Sequence, residues 1–201
     1  GIAGEVSGSG ATVEQCVNSG KIQGIASGGI TGAATDCTIL NCYTTAESNI
    51  SVYTDLRLPS DFEADDLEST LMFMNGIGGI SGFGHQLTVQ ECFSYGGLTD
   101  GIFIFNNGET INIPKAGIVA NGIDTNGGMT FNGCYYLEST ATEATGAGFA
   151  KPSGDNNNLY KELTAEAFRN KESFKYQDKE RANAWTVSSW STTIWNLDTI
   201  S

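Results

Sequence analysis

The strongest constraint on this fold is a short sequence motif that occurs four times in the chain, and each copy is called a phrase below. Each copy has a glycine-rich step with an isoleucine, followed 12 to 16 residues later by a cysteine that lies three residues after an apolar side chain. Spacing within a copy is nearly constant while spacing between copies varies, so we interpret the phrase as the structural unit. The aligned positions are Ile2, Ile30, Ile80 and Ile118; Val13, Ile39, Val89 and Phe131; and Cys16, Cys42, Cys92 and Cys134.

Each phrase predicts two short strands. The glycine-rich step is typical of a strand and a turn with unusual backbone angles, and the run ending in cysteine and an aromatic residue favours a second strand. Neither strand buries an apolar face alone, but stacked copies place equivalent residues ~4.8 Å apart in a continuous core. We therefore predict an all-β fold, a parallel β-helix or β-solenoid, over residues 1–150.

The cysteines fit the same scheme. The chain has five of them, no C-x-x-C motif and a single histidine, His85, which argues against a disulfide framework and a four-ligand zinc site. We expect the four aligned cysteines to be a ladder of small buried side chains, with a redox or metal role as the alternative. Cys37 is off this register, and a bridge to it stays open.

The motifs resemble a known repeat. GGITG at 28–32 and GGISG at 78–82, each followed by an apolar-x-x-Cys-aromatic run, and the tail CVNSGKIQG at 16–24 are similar to the GLUG repeat of bacterial cell-surface proteins, including adhesin-like and IgA-peptidase-like proteins. The resemblance covers most of residues 1–137, although the tail is replaced after Cys42 and Cys134. It implies a right-handed parallel stack, a hand that parallel crossovers generally prefer. It also implies an extracellular, cell-surface location and no catalytic residues.

Two insertions interrupt the phrases, at about 53–75 and 101–115. In the first, Ser60 after Pro59 predicts the cap of a short helix with acids in its first turn. In the second, Asn107-Gly108 between two apolar runs predicts a hairpin. The alternative for the first insertion is a calcium site, although the EF-hand order and its glycine are missing. Its ligands would be Asp61, Glu63, Asp65 and Asp66.

Residues 151–201 differ in composition and predict a small α+β cap. Thr164 is the expected N-cap of a short helix, with Glu166 in its first turn and Leu163 packed against Phe168. Solenoids need closed ends, and the resemblance implies a similar helix followed by tryptophan-bearing strands. We therefore expect the three tryptophans to be buried in the cap, with a sugar-stacking platform as the alternative. They are Trp185, Trp190 and Trp195.

The net charge of the chain narrows the classes of partner that it can bind. With 23 acidic against 10 basic residues, a net charge of −13, the surface repels nucleic acid and anionic lipid. No apolar run reaches the ~18 residues that span a bilayer. Because the first phrase begins at Gly1 with no capping segment before it, we expect the chain to be part of a longer surface protein.

These features predict a non-enzymatic segment that adheres to or recognises host glycan or protein. The alternative is a structural spacer that presents another domain. A polysaccharide lyase or hydrolase is the weaker hypothesis, because such an enzyme needs a cleft with paired carboxylates, or with a cation-binding acidic cluster and a nearby Lys or Arg base. The first 150 residues contain few Lys or Arg and no recurring acidic pair. An exposed aromatic row would favour binding, and inward aromatics the spacer. We predict no catalytic, cofactor-binding or metal-binding residue. The scattered acids, which we interpret as solvated, are Asp36, Glu47, Glu91 and Asp100.

Overall fold

A computed structural model describes residues 1–53, 75–104, 108, 110–123, 128–141 and 160–168. The described part is an all-β fold built on parallel sheets, as predicted, with one short helix. Within it, no helix is long and apolar enough to cross a membrane. The strands are β1 Ala3–Glu14, β2 Val17–Asn18, β3 Lys21–Gly24, β4 Ala26–Gly28, β5 Thr31–Leu40, β6 Tyr43–Thr44, β7 Asn49–Val52, β8 Gly76–Gly78, β9 Ser81–His85, β10 Thr88–Gln90, β11 Phe93–Ser94, β12 Gly97–Leu98, β13 Ile102–Ile104, β14 Thr110–Asn112, β15 Lys115–Ala116, β16 Val119–Ile123, β17 Thr130–Asn132, β18 Cys134–Leu137 and β19 Tyr160–Leu163, and the helix is α1 Ala165–Phe168.

Strands from successive phrases pair side by side in four parallel sheets. The orders are β16-β9-β5-β10-β17 with β1 also on β5, β19-β18-β11-β6-β2, β12-β7-β3, and β15-β8-β4. The residues aligned in the sequence are partners in the first sheet, where Ile39 pairs with both Val13 and Val89. Val89 in turn pairs with Phe131. The alignment read from the sequence is therefore the register of the sheet.

Three of the four aligned isoleucines lie in the core, whereas Ile2 of the first phrase is 49% exposed. Ile30, Ile80 and Ile118 are fully buried, and their backbones are joined by Ile30 N–H to Ile80 O and Ile80 N–H to Ile118 O, both 2.9 Å. Each such side chain contributes roughly 1.5–3 kcal/mol by leaving water. The residue that follows each of two buried isoleucines is polar, and these two side chains pair, since the Thr31 hydroxyl donates to Ser81 Oγ at 2.9 Å. The sheets thus enclose an apolar core in which the Thr31 and Ser81 hydroxyls are hydrogen-bonded to each other.

Left-handed backbone lies at a corner that the sequence did not reveal. We expected unusual angles in the glycine-rich step, and this was wrong, because its residues Gly28 and Gly78 are not among those with positive φ. Asp36 and Gln86 have positive φ on equivalent positions of two phrases, and a second set of left-handed residues comes immediately before the aligned cysteines. They are Gln15 (φ 56°), Asn41 (52°), Glu91 (52°) and Gly133 (61°).

The glycine-rich step is required for close packing instead. A Cβ on Gly78 would lie 1.8 Å from the carbonyl oxygen of Ser81, and one on Gly79 would lie 2.0 Å from that of Gly117. These contacts are with backbone atoms, which cannot rotate away. The step therefore demands glycine for space rather than for its φ angle.

The second insertion is a hairpin, as predicted. β13 and β14 pair antiparallel, with Phe103 opposite Ile111, and Gly108 has φ 86°. Phe103 is buried in one cluster with Ile50 and Ile77. The hairpin therefore adds apolar cover to the parallel sheets. The first insertion, with Ser60 and its predicted helix, lies outside the described residues.

The predicted helix near the C-terminal end is confirmed. Thr164 caps it, since Ala167 N–H donates to Thr164 Oγ1 at 3.0 Å, and Leu163 and Phe168 share an apolar cluster. β19 pairs with β18 in parallel, so the segment continues a sheet of the main body. The Phe168 ring covers Phe93, with centroids 5.8 Å apart. The three tryptophans lie outside the described residues.

The close approach at the glycine-rich step gives a stability prediction. We expect Gly78→Ala to lower the free energy of unfolding by at least about 2 kcal/mol, because the added methyl group overlaps a backbone carbonyl. Gly4→Ala is the matched control, since nothing lies within 4 Å of a Cβ at that strand position; we expect it to be neutral or stabilising by up to ~1 kcal/mol. Urea unfolding followed by circular dichroism measures both. Equal effects of the two substitutions would contradict this account.

Candidate functional site

The aligned cysteines lie on neighbouring strand ends and form one column. Cys16 and Cys42 lie between the partner pairs Glu14–Leu40 and Val17–Tyr43. In the same way, strand pairs on either side place Cys92 beside Cys42 and Cys134 beside Cys92. We call the set the thiol column, and its members in order are Cys16, Cys42, Cys92 and Cys134.

Each inner thiol contacts the backbone of the phrase before it. The Sγ atoms of Cys42, Cys92 and Cys134 lie 3.6, 3.6 and 3.3 Å from the carbonyl oxygens of the aligned apolar residues in the preceding phrase. The Cys42 N–H also donates to Cys92 Sγ at 3.4 Å. These three side chains are fully buried, while Cys16 is only half-buried. The column thus runs from a partly open end into the core.

Burial and neighbouring thiols set the acidities. Burial raises the pKa of Cys134 to about 12 and raises that of Cys92 well above its ordinary value. The pKa of Cys42 is lowered, first by a hydrogen bond from the Cys92 thiol and also by one from Cys16. The pKa of Cys16 is raised, by burial and then by the charge of Cys42. Negative charge in the column is therefore best held at Cys42.

Cys37 belongs to a different column. The partner pairs Thr35–His85 and Thr38–Thr88 place it beside Leu87, and it is buried there with Sγ 3.8 Å from Val6 O. All five cysteines are free thiols in this structure. Cys37 is therefore off the thiol column because it fills a second apolar position of the same strand.

The scattered acids do not share a cleft. Asp36 and Glu47 are exposed on separate elements, and Asp100 forms an ion pair with Lys115. We expected Glu91 to be solvated, and this was wrong: it is 7% exposed. Its charge adds to the rise in the pKa of Cys134.

No metal centre is formed in the described part of the chain, where no three His, Cys, Asp or Glu side chains are grouped to hold an ion. The acidic residues proposed for calcium lie outside it. The lone histidine is occupied, since His85 Nδ1 bonds Ile123 O at 2.8 Å, which makes Nδ1 the donor. The thiol column is therefore the one cluster of chemically reactive groups that these residues bring together.

A shallow groove of about 200 Å³ lies at the first strands. Its lining residues are small or apolar apart from Gln23 and the buried Ser27, whose hydroxyl has no hydrogen-bond partner. A serine needs an adjacent base to act as a nucleophile, and none of the side chains that line the groove supplies one. The lining residues are Gly1, Ala3, Gly4, Ile22, Gln23, Gly24, Ala26, Ser27, Gly28 and Gly32.

Comparison with known proteins finds no relative of this chain. No family model, no curated protein and no solved structure matches this chain. The similarity to GLUG repeat proteins therefore depends on the residues quoted above.

The buried thiol at the far end of the column gives a pH prediction. Since the pKa of Cys134 rises from 9.0 to about 12 on folding, its contribution is complete below pH 9 and is lost as the pH rises toward 12. Between pH 8 and pH 10 we expect wild type to lose about 1.4 kcal/mol more unfolding free energy than Cys134→Ala loses. Urea midpoints at the two pH values measure this. Parallel losses in wild type and variant would show that the thiol ionises freely in the folded protein.

Proposed function

We propose that this chain is a non-enzymatic segment of a larger bacterial cell-surface protein, a right-handed parallel β-solenoid that works as a structural spacer and presents another domain. The observation that carries the proposal is the register of the sheets. The residues that pair in series are Val13, Ile39, Val89 and Phe131. In the other parallel sheets, neighbouring strands likewise come from successive phrases. A stack of this kind gives a rigid body whose length grows with each added phrase.

The segment that contains β19 and α1 supports the part of this proposal in which a cap closes the solenoid. β19 adds to the sheet next to β18, and Phe168 covers the outward aromatic rings of Phe93 and Tyr95, with centroid distances of 5.8 and 5.0 Å. The short helix thus covers apolar rings on one face of the parallel sheet that would otherwise face water. The surface location comes from the resemblance alone.

The aromatic side chains favour the spacer over adhesion. Phe93, Phe103, Phe131 and Tyr135 are at most 2% exposed. Among the aromatic residues whose surroundings are described, Tyr53 is the one classed as exposed. Ring-on-sugar recognition needs accessible aromatic faces. The body thus uses its rings for packing.

Adhesion to host glycan or surface protein is the second candidate, and the hairpin favours it. Ile102 and Ile104 alternate with the buried Phe103 and are 39% and 40% exposed. They lie on the outer face of β13, within an insertion, where repeat proteins often place variable contacts. Two neighbouring exposed isoleucines form a small apolar patch that suits a protein partner better than a charged glycan.

A glycan, mucin and host-matrix protein array tests the two candidates. The purified chain is applied with and without calcium, and the spacer proposal predicts no binding above a denatured control in either condition. Binding that is lost in the double variant Ile102→Ser, Ile104→Ser would establish adhesion through the hairpin and overturn the spacer. Ile123→Ser is the matched control, because Ile123 is 38% exposed on β16. Calcium-dependent binding would instead direct attention to Asp61, Glu63, Asp65 and Asp66.

A further inference from the structure

We propose that Cys16 and Cys42 are a modification site, in which a small disulfide such as oxidised glutathione drives formation of a Cys16–Cys42 bond that ties β1 to the strand beside it. The inference depends on the register of the strands and not on the spacer or adhesion role. Failure of the array experiment therefore leaves it untouched, and the reverse also holds.

The backbone places the two residues within bonding reach. The pairs Glu14–Leu40 and Val17–Tyr43 lie on either side of Cys16 and Cys42, so the two cysteines occupy equivalent positions at the corner between neighbouring parallel strands. Adjacent strands lie ~4.8 Å apart, inside the ~4.4–6.8 Å range of Cα separations that disulfides span. The backbone is also fixed there, because the Tyr43 N–H donates to Cys16 O at 2.9 Å.

Access selects this pair over the others in the thiol column. Cys42, Cys92 and Cys134 are fully buried, so a dissolved disulfide meets only the half-buried Cys16. Within the column, Cys42 is the neighbour of Cys16, and it is the member whose pKa is lowered by the thiols on both sides. Cys16 is therefore the entry point and Cys42 the resolving thiol.

The exchange is balanced in two steps. Cys16 gives up its proton and its sulfur attacks one glutathione sulfur, the glutathione disulfide breaks, and the first glutathione leaves as a thiolate that takes up a proton. Cys42 then gives up its own proton and its sulfur attacks Cys16 Sγ, the mixed disulfide breaks, and the second glutathione leaves and is protonated in the same way. In total, two protein thiols lose two electrons and two protons, and one glutathione disulfide becomes two glutathione thiols.

The bond would lock the first strand to the body. β1 pairs with β5, and a covalent link at the C-terminal end of that pairing opposes its separation. We expect the oxidised protein to unfold at least about 5 °C above the reduced protein, and we expect dithiothreitol to reverse the shift.

Peptide mapping tests the proposal on the full 201-residue chain. The reduced protein is incubated with oxidised glutathione at pH 8, its remaining thiols are alkylated in acid, and trypsin is added without reductant. Trypsin separates Cys16 in peptide 1–21 from Cys37 and Cys42 in peptide 22–57, with Cys92 in 58–115 and Cys134 beyond residue 115. We expect 1–21 joined to 22–57 as the main cross-linked product.

Two variants decide which cysteine is used. Cys37→Ala is the matched control, because Cys37 is a buried thiol in the same peptide, and it should leave the link unchanged. Cys42→Ala should abolish the link and leave Cys16 as a stable mixed disulfide with glutathione, visible as a mass increase of peptide 1–21. Circular dichroism checks that each variant folds, and the wild-type map stands even if one does not.

Three results with the folded protein would overturn the proposal. They are a main product that joins 22–57 to 58–115, a link that survives in Cys42→Ala but not in Cys37→Ala, and a wild-type protein in which Cys16 stays glutathionylated or unmodified. Urea-unfolded protein is the reference, and an equal distribution of links in folded and unfolded samples would also exclude selection by the strand register.

Discussion

The structure depends on one constraint, the in-register parallel pairing of equivalent residues. Ile39 has Val13 on one side and Val89 on the other, so each side chain must pack against a copy of its own environment ~4.8 Å away. Apolar side chains and small hydroxyls satisfy this condition without strain. The same rule applies to the thiol column, because cysteine behaves as a small apolar side chain that can be buried beside its own copy.

Two backbone features make the pairing continuous. The left-handed residue before each aligned cysteine turns the chain, and three of the four positions use a side chain, Gln15, Asn41 and Glu91, where glycine would cost least. The glycine-rich step lets a carbonyl such as Ser81 O approach to where a Cβ would stand. Turning and close approach are thus separate tasks, carried by different residues of the same phrase.

The sequence predicts the column positions well because packing leaves a periodic record. The partners of Val89, the burial of Cys92, the hairpin around Gly108 and the capping by Thr164 were all predicted from residue type and spacing. The corner at Glu91 was not, since glutamate carries no sign of a positive φ, and only Asn41 and Gly133 in that series suggest one. The acidity of Cys42 was also beyond prediction, because it is set by which thiols lie beside it, and that depends on the exact register.

Charge placement follows from the same stacking. The chain is strongly acidic, yet the paired columns of the described residues hold no two like charges: Glu14 lies beside Leu40, Glu5 lies beside Ala33, and Lys21 lies beside Asn49. Two carboxylates one strand apart would repel by about 1 kcal/mol in bulk water and about 4 kcal/mol near a protein surface. A repeated phrase copied with its charges would accumulate this repulsion at every level. The apolar, glycine and cysteine positions can therefore recur from phrase to phrase, while the acidic positions must differ.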